Sequence, residues 1–237
     1  MTWSRAQFLE AISETAIWTP DYAEDVLVRL AHNSSAIEGN TFTLSDTFSL
    51  LIDERTPLTS KPVREMYEVS NHREALALIL MAICDGASLS EQLVQNLHAA
   101  LMDHLINEPG SYKSSENAVR GASWVPTPPS LVPIRMREWV SQVEWQTANL
   151  EGEHLLEAIA RSHIDFERIH PFADGNGRTG RAIIAYQAIR RFGVPAIIEA
   201  TARPQYLALL ETQDATGLAE MLAASIALEQ TRPPLFA

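Results

Sequence analysis

The sequence predicts an all-α fold: a helical bundle interrupted by one exposed loop or short β-hairpin. Three observations carry that reading. Apolar residues recur at helical spacing along most of the 237 residues. Helix-starting and helix-stopping residues fall between the periodic stretches. The prolines that regular helix excludes concentrate in one region, 107–133, with Pro109, Pro126, Pro128, Pro129 and Pro133. No internal repeat, low-complexity segment or flexible linker divides the chain, so one compact unit is expected.

The elements follow in order. Phe8, Leu9 and Ile12 have helical spacing in the first segment. Pro20-Asp21 offers a turn and an N-cap for a helix from about Tyr22, with Leu27, Leu30 and Ile37 near one stripe and Gly39 as its stop. A short helix fits Leu44 to Asp53, and a longer one Val63 to Cys84, ended by Asp85-Gly86. Ser88 or Ser90 caps a helix running to about Leu105. Further helices fit Ile134 to Ala148, Glu153 to Ile169, Arg178 to Phe192 and Gln205 to Leu228, the last broken near Gly217. Within 107–133, Tyr112 and the Val119–Val125 stretch fit a short β-hairpin.

Composition bounds the function. With 46% hydrophobic and 20% charged residues, disorder as the main state is excluded. A formal charge of −12 argues against general binding to nucleic acid or anionic membrane, since both need basic surface. Cys84 is the only cysteine, which excludes an intramolecular disulfide and a multi-cysteine zinc site. It ends the longest apolar run, Ala75 to Cys84, and is read as core. That run is far short of the roughly 20 residues a membrane-spanning helix needs. The N-terminal residues lack the apolar stretch of a secretory signal, so a cytoplasmic location is expected.

Chemistry concentrates in residues 170–181, HPFADGNGRTGR. Gly175, Asn176 and Gly177 allow backbone angles that aim successive N–H groups at one point, an anion nest. A helical pattern then begins at Arg178, adding free N–H groups and the positive end of a helix dipole. Arg178 and Arg181 share a face of the first turn, and their planar forks suit phosphate. Asp174 is a hard oxygen ligand beside the nest, of the kind Mg²⁺ bridging phosphates takes. His170 precedes the turn and is the side chain best suited to act as a base near neutral pH. From Arg161 to Arg191, six arginines face three carboxylates, a basic island in an acidic chain. The constellation reads as transfer of a phosphate-containing group to a hydroxyl.

The segment resembles the signature of the Fic family, HPFx(D/E)GNGRxxR, at all nine specified positions. Doc toxins depart from it at the second glycine and the following arginine. The resemblance implies a helical Fic core over 60–200, with N-terminal helices 1–59 packed on it and a C-terminal segment 201–237 completing the same domain. It implies transfer of AMP from Mg·ATP to a Ser, Thr or Tyr hydroxyl of a protein, itself included, with release of pyrophosphate. His170 would deprotonate the hydroxyl, and Asp174 would hold Mg²⁺. Asn176 and the N–H groups around Gly175 and Gly177 would hold the α-phosphate. Arg178 would stabilise phosphates, Arg181 would clasp the γ-phosphate, and Phe172 would pack inward. The same motif also serves enzymes that remove AMP or that use another phosphate-containing donor. A non-catalytic nucleotide-binding regulatory or toxin–antitoxin module is the third reading.

Ser34-Ser35-Ala36-Ile37-Glu38-Gly39 resembles the family's inhibitory motif, (S/T)xxxE(G/N). Ser34 and Glu38 lie on one helical face, and Glu38 could form a bidentate pair with Arg181, occupying the arginine that the γ-phosphate needs. Gly110-Ser111-Tyr112-Lys113 resembles the Gly-x-aromatic-Arg pattern of the family's target-docking flap, which Tyr112 and Lys113 would form, with Lys113 in place of Arg. His163 is read as a core residue beside the site. His98, His104 and His154 are read as surface or packing residues, Trp139 and Trp145 as core, and Arg190-Arg191 as structural. Tyr186 and the 199–207 region are the candidates for a base pocket. The 36 residues after Thr201 are too few for the winged-helix domain that some relatives carry, so no DNA contact is expected. Oligomerisation is left open.

Overall fold

Side chains that accept from otherwise unpaired backbone N–H groups set most of the early helix starts. In a computed structural model describing residues 3–57, 61–118 and 124–232, Ser4 and Gln7 form a capping box for α1 (Arg5–Thr15), and Thr43 and Asp46 form another for α3 (Leu44–Leu51). Thr19 caps α2 (Pro20–Ile37), with Pro20 at the first helical position. Then come α4 (Val63–Ser70), α5 (His72–Cys84) and α6 (Glu91–Leu101), the last capped by Ser90. The second half holds α7 (Val132–Asn149), α8 (Gly152–Ile169), α9 (Asn176–Phe192), α10 (Arg203–Thr212) and α11 (Ala215–Gln230). Short 3₁₀ turns precede α7 and α10, at Pro129–Leu131 and Ala200–Ala202.

The all-α expectation holds, but the described residues contain no strand. Tyr112 to Ala118 is irregular chain, and residues 119–123 of the expected hairpin lie outside the described residues. The expected long helix over 63–84 is two helices. Asn71 stands between them, and its amide donates to the carbonyls of Leu101 (3.0 Å) and Asp103 (2.9 Å). The last expected helix breaks earlier than Gly217, at Gln213, whose φ of 56° ends α10. Gly217 instead lies in the first turn of α11, with its N–H capped by Asp214. Pro133 sits in the first turn of α7, where a missing N–H costs nothing. Cys84 is exposed in the outward-facing last turn of α5, and Trp145 is 62% exposed, so neither is core.

α9 runs through the centre, packed by α5, α6 and α8, and every residue from Arg178 to Ile189 is buried. α8 is covered in turn by α7 and α11. α2 lies against α3, α4, α5 and the N-terminal end of α9. Three polar ties fix its position. The buried Glu229 of α11 takes both Arg29 (Oε1 to Nη1, 2.5 Å) and the Tyr22 hydroxyl (3.2 Å). Asn33 Oδ1 accepts from the Ala200 N–H at 2.8 Å. Arg203 donates to the Ile37 carbonyl at 2.6 Å, a cation on the C-terminal end of α2. No helix among the described residues is long and apolar enough to cross a membrane.

Removing Glu229 leaves Arg29 half-buried without its best acceptor. Glu229→Ala is expected to lower the unfolding free energy by about 3 kcal/mol in urea titrations. The exposed neighbour Leu228→Ala is expected to change it by less than about 0.5 kcal/mol.

Candidate functional site

The motif loop is built between the end of α8 and the start of α9. His170 terminates α8 in the left-handed region (φ 49°, ψ 59°), which turns the chain sharply before Pro171. Gly175 starts α9 with a φ of 78°, and a Cβ there would come within 2.4 Å of Met102 Sδ. Just after Gly175, Asn176 folds back on Phe172: its Oδ1 accepts from the Phe172 N–H at 2.9 Å and its Nδ2 donates to the Phe172 carbonyl at 2.8 Å. The Asn176 side chain therefore closes the loop.

A second layer supports the loop from outside. Phe172 is fully buried and stacks on His98 at 3.7 Å. His98 Nε2 donates to the Asp174 carbonyl at 3.0 Å, while Nδ1 accepts from the Gly110 N–H at 2.8 Å. Burial pushes its pKa down to about 4, so it is neutral and this tautomer is fixed. Tyr112 and Lys113 also face this loop. The Tyr112 ring tilts onto Phe172 and its hydroxyl donates to Glu91. Lys113 is buried, its N–H donates to the Pro171 carbonyl at 2.8 Å, and its ammonium holds Asn117, which in turn donates to the Phe172 carbonyl. His98 and Asn117 carry no sequence signal for this role.

The charged groups meet at the start of α9. His170 Nδ1 donates to the Glu167 carbonyl at 3.2 Å, which leaves Nε2 as the nitrogen with a lone pair. Burial pushes His170 down to about 4, so the ring is neutral at physiological pH. Arg178 is 3% exposed; its Nε and Nη1 have no hydrogen-bond partner, and its nearest carboxylates, Glu68 and Asp174, stand at 3.8 Å. Burial alone would raise the Asp174 pKa, but Arg178, the Gly175 N–H and Arg64 together hold it below its ordinary value. Arg181 Nη2 donates to Glu38 Oε1 at 2.7 Å and to the Ser34 carbonyl at 2.8 Å, and its Nε donates to Ser34 Oγ at 3.1 Å. The expected bidentate pairing is thus a single carboxylate contact completed by Ser34. Burial works to raise the Glu38 pKa, and the Arg181 charge and hydrogen bond outweigh it. Glu38 lies directly over Gly177, where a Cβ would come within 2.4 Å of its Oε1.

A cavity of about 210 Å³ opens beside these groups, lined by Glu38, His170, Arg181, Tyr206, Leu207 and Leu210 among others. The 199–207 region thus supplies part of its wall. Tyr186 does not line it; it is fully buried, with its hydroxyl on the Ala87 carbonyl. His163 is buried and shares a 2.7 Å hydrogen bond with the Tyr206 hydroxyl. Glu167, three residues before His170, also lines the cavity, and burial pushes its pKa up to about 8. The structure brings together every candidate from Ser34 and Glu38 through Arg181.

Residues 88–188 match the model of the Fic/DOC family. That segment of the chain is similar to a Fic domain. Among similar proteins are the protein adenylyltransferase Fic of Drosophila erecta, 27% identical over 88% of this chain and 41% of that one, and of Aedes aegypti, 28% identical over 86% and 40%. The chain spans about two fifths of the length of these curated relatives. In fold it is similar to a Fic domain containing signaling protein from Bacteroides thetaiotaomicron (22% identity, TM-score 0.74, 95% of this chain and 96% of that one). Fic-1 from C. elegans gives 21% identity and a TM-score of 0.75 over 95% and 71%.

Three buried histidines and the partly buried His170 link the chain's stability to pH. Burial holds His72 and His163 at about 3, and His98 and His170 at about 4. Unfolded histidine titrates near 6.5, so the unfolded chain gains protons first as pH falls, and stability is lost from about pH 6.5 down toward 3. Glu167 has the opposite sign: its contribution is full below about pH 4.5 and is lost as pH rises through 8. The melting temperature is expected to peak near pH 7 and to fall steeply below about pH 6. Glu167→Gln is expected to flatten the decline above pH 7.

Proposed function

We propose that this chain transfers AMP from Mg·ATP to a Ser, Thr or Tyr hydroxyl of a protein, itself included, and that Glu38 restrains the reaction. The observation that carries this is a neutral His170 with its Nε2 lone pair available, beside two buried arginines at one helix N-terminus. Relatives named protein adenylyltransferase support the same reading.

In this mechanism the Gly175–Gly177 turn and the first N–H groups of α9 bind the α-phosphate. Arg178, whose Nε and Nη1 have no protein partner, takes a phosphate oxygen. Arg181 takes the γ-phosphate once Glu38 has left it. His170 Nε2 accepts the target hydroxyl's proton as the oxygen bonds to the α-phosphorus and the bond to the β-phosphate's bridging oxygen breaks, releasing pyrophosphate. Most of the rate comes from positioning and charge neutralisation in line with the leaving group.

Asp174 suits a divalent cation: it is a half-exposed carboxylate at the rim of the phosphate cradle. No group of three or more His, Cys, Asp or Glu side chains that could hold a metal occurs among the described residues, so the remaining ligands would be phosphates and water, as is usual for Mg²⁺. When bound, the cation neutralises phosphate charge.

Glu38 restrains transfer in two ways. It supplies a carboxylate to the arginine that the γ-phosphate needs, and it sits over Gly177 at the helix N-terminus. Charge-assisted hydrogen bonds are worth about 1.5–3 kcal/mol, so Glu38→Gly is expected to raise AMP transfer by about tenfold or more. Adding His170→Ala is expected to lower it by about 10²–10⁴-fold. Intact mass spectrometry after incubation with Mg·ATP reads both. An AMP adduct on Glu38→Gly alone is the expected result. Equal labelling of Glu38→Gly and wild type would remove the restraint. No adduct with ATP, alone or with candidate targets, would turn attention to other donors or to removal of AMP.

A further inference from the structure

Asp174 is not waiting as a bare carboxylate. Arg64 of α4 donates from Nη2 to Asp174 Oδ2 at 2.9 Å and from Nε to Glu68 Oε1 at 3.0 Å. Arg178 approaches the same two carboxylates from the other side, with Nη1 3.8 Å from Glu68 Oε1 and Nη2 3.8 Å from Asp174 Oδ1. Two guanidinium groups and two carboxylates thus alternate around a closed ring that joins α4 to the start of α9.

The two arginines are not equivalent. Arg178 is 3% exposed and fixed in the core of the site, whereas the Arg64 side chain is 52% exposed on the surface of α4. The two Asp174 oxygens are not equivalent either. Oδ1 accepts from the Gly175 N–H at 2.7 Å, which fixes the plane of the carboxylate, while Oδ2 carries the Arg64 contact. A divalent cation taking the exposed edge of Asp174 competes with Arg64 for Oδ2 and repels its guanidinium.

We propose that Arg64 is a displaceable cap on Asp174: it orients and neutralises the carboxylate while no cation is present, leaves Oδ2 when a divalent cation binds, and so weakens the affinity of Asp174 for that cation. Glu68 keeps hold of Arg64 Nε during the exchange, so the displaced guanidinium stays at the rim of the phosphate site. Arg64 is then a positioning residue, acting through Asp174. The proposal rests on reading Asp174 as the metal carboxylate.

The test is a Mn²⁺ titration of the full chain without nucleotide, read as paramagnetic broadening of the Gly175 and Asn176 amide signals. Wild type, Arg64→Gln, Arg64→Lys and Asp174→Asn are compared. An exposed ion pair is worth up to about 1 kcal/mol, so Arg64→Gln is expected to reach half-broadening at about three- to fivefold less Mn²⁺ than wild type. Arg64→Lys, which keeps the charge, is expected to stay within about twofold of wild type. The gap between wild type and Arg64→Gln is expected to narrow at high salt. Equal or weaker Mn²⁺ binding by Arg64→Gln overturns the cap while leaving Asp174 as the ligand. Broadening that Asp174→Asn does not abolish, or none in wild type even when ADP is added to supply phosphate ligands, overturns the assignment of Asp174 and the cap with it.

Discussion

A guanidinium buried as deeply as Arg181 has to be given acceptors, because an unpaired charge there would cost several kcal/mol. Ser34 and Glu38 supply them, and much of the molecule is arranged so that they can. α2 must end next to the start of α9, so Arg29 and Tyr22 tie it to Glu229, and Arg203 seals its last carbonyl. Gly177 leaves room for Glu38 where it stands, since a Cβ there would come within 2.4 Å of Glu38 Oε1 and push it aside. The proposed restraint also needs the contact to be replaceable. Glu38 keeps a side-chain exposure of 40%, so an anion entering from the cavity can compete for the same arginine.

Burial does a second job at the site. It holds His170 and His98 neutral by lowering their pKa values, and each ring then has one donor and one acceptor nitrogen. In His98 both are used to support the loop, on Asp174 and Gly110. In His170 one is used on Glu167, and the other is the lone-pair nitrogen that the proposed mechanism uses. Two rings of similar pKa thus differ in role because of what their nitrogens meet. The loop's shape is accordingly a property of α6 and the 110–117 segment as well as of the motif.

Legibility in the sequence followed the range of the interactions. Helix starts were readable where a cap and its partner lie within a few residues, as at Ser90. The break at Asn71 was not, because its cause is a pair of hydrogen bonds to carbonyls some thirty residues away. Apolar periodicity placed Cys84 and Trp145 on helices but could not show that neighbouring elements leave them uncovered. At the site, the motif and the Ser34–Glu38 spacing named residues that the fold does bring together. His98, Asn117 and Arg64 come from elements distant in sequence and have ordinary residue types, so nothing local marked them. Glu167 did leave a trace: an acidic residue three before His170.

The central claim is that Glu38 and a terminal phosphate compete for Arg181. Calorimetric affinities for ATP and ADP, compared in wild type and Glu38→Gly with Mg²⁺ present, test it most directly. If they compete, wild type will bind the two nucleotides about equally, and Glu38→Gly will prefer ATP by about tenfold, the value of one charge-assisted contact. The same ATP-to-ADP ratio in both proteins would contradict it.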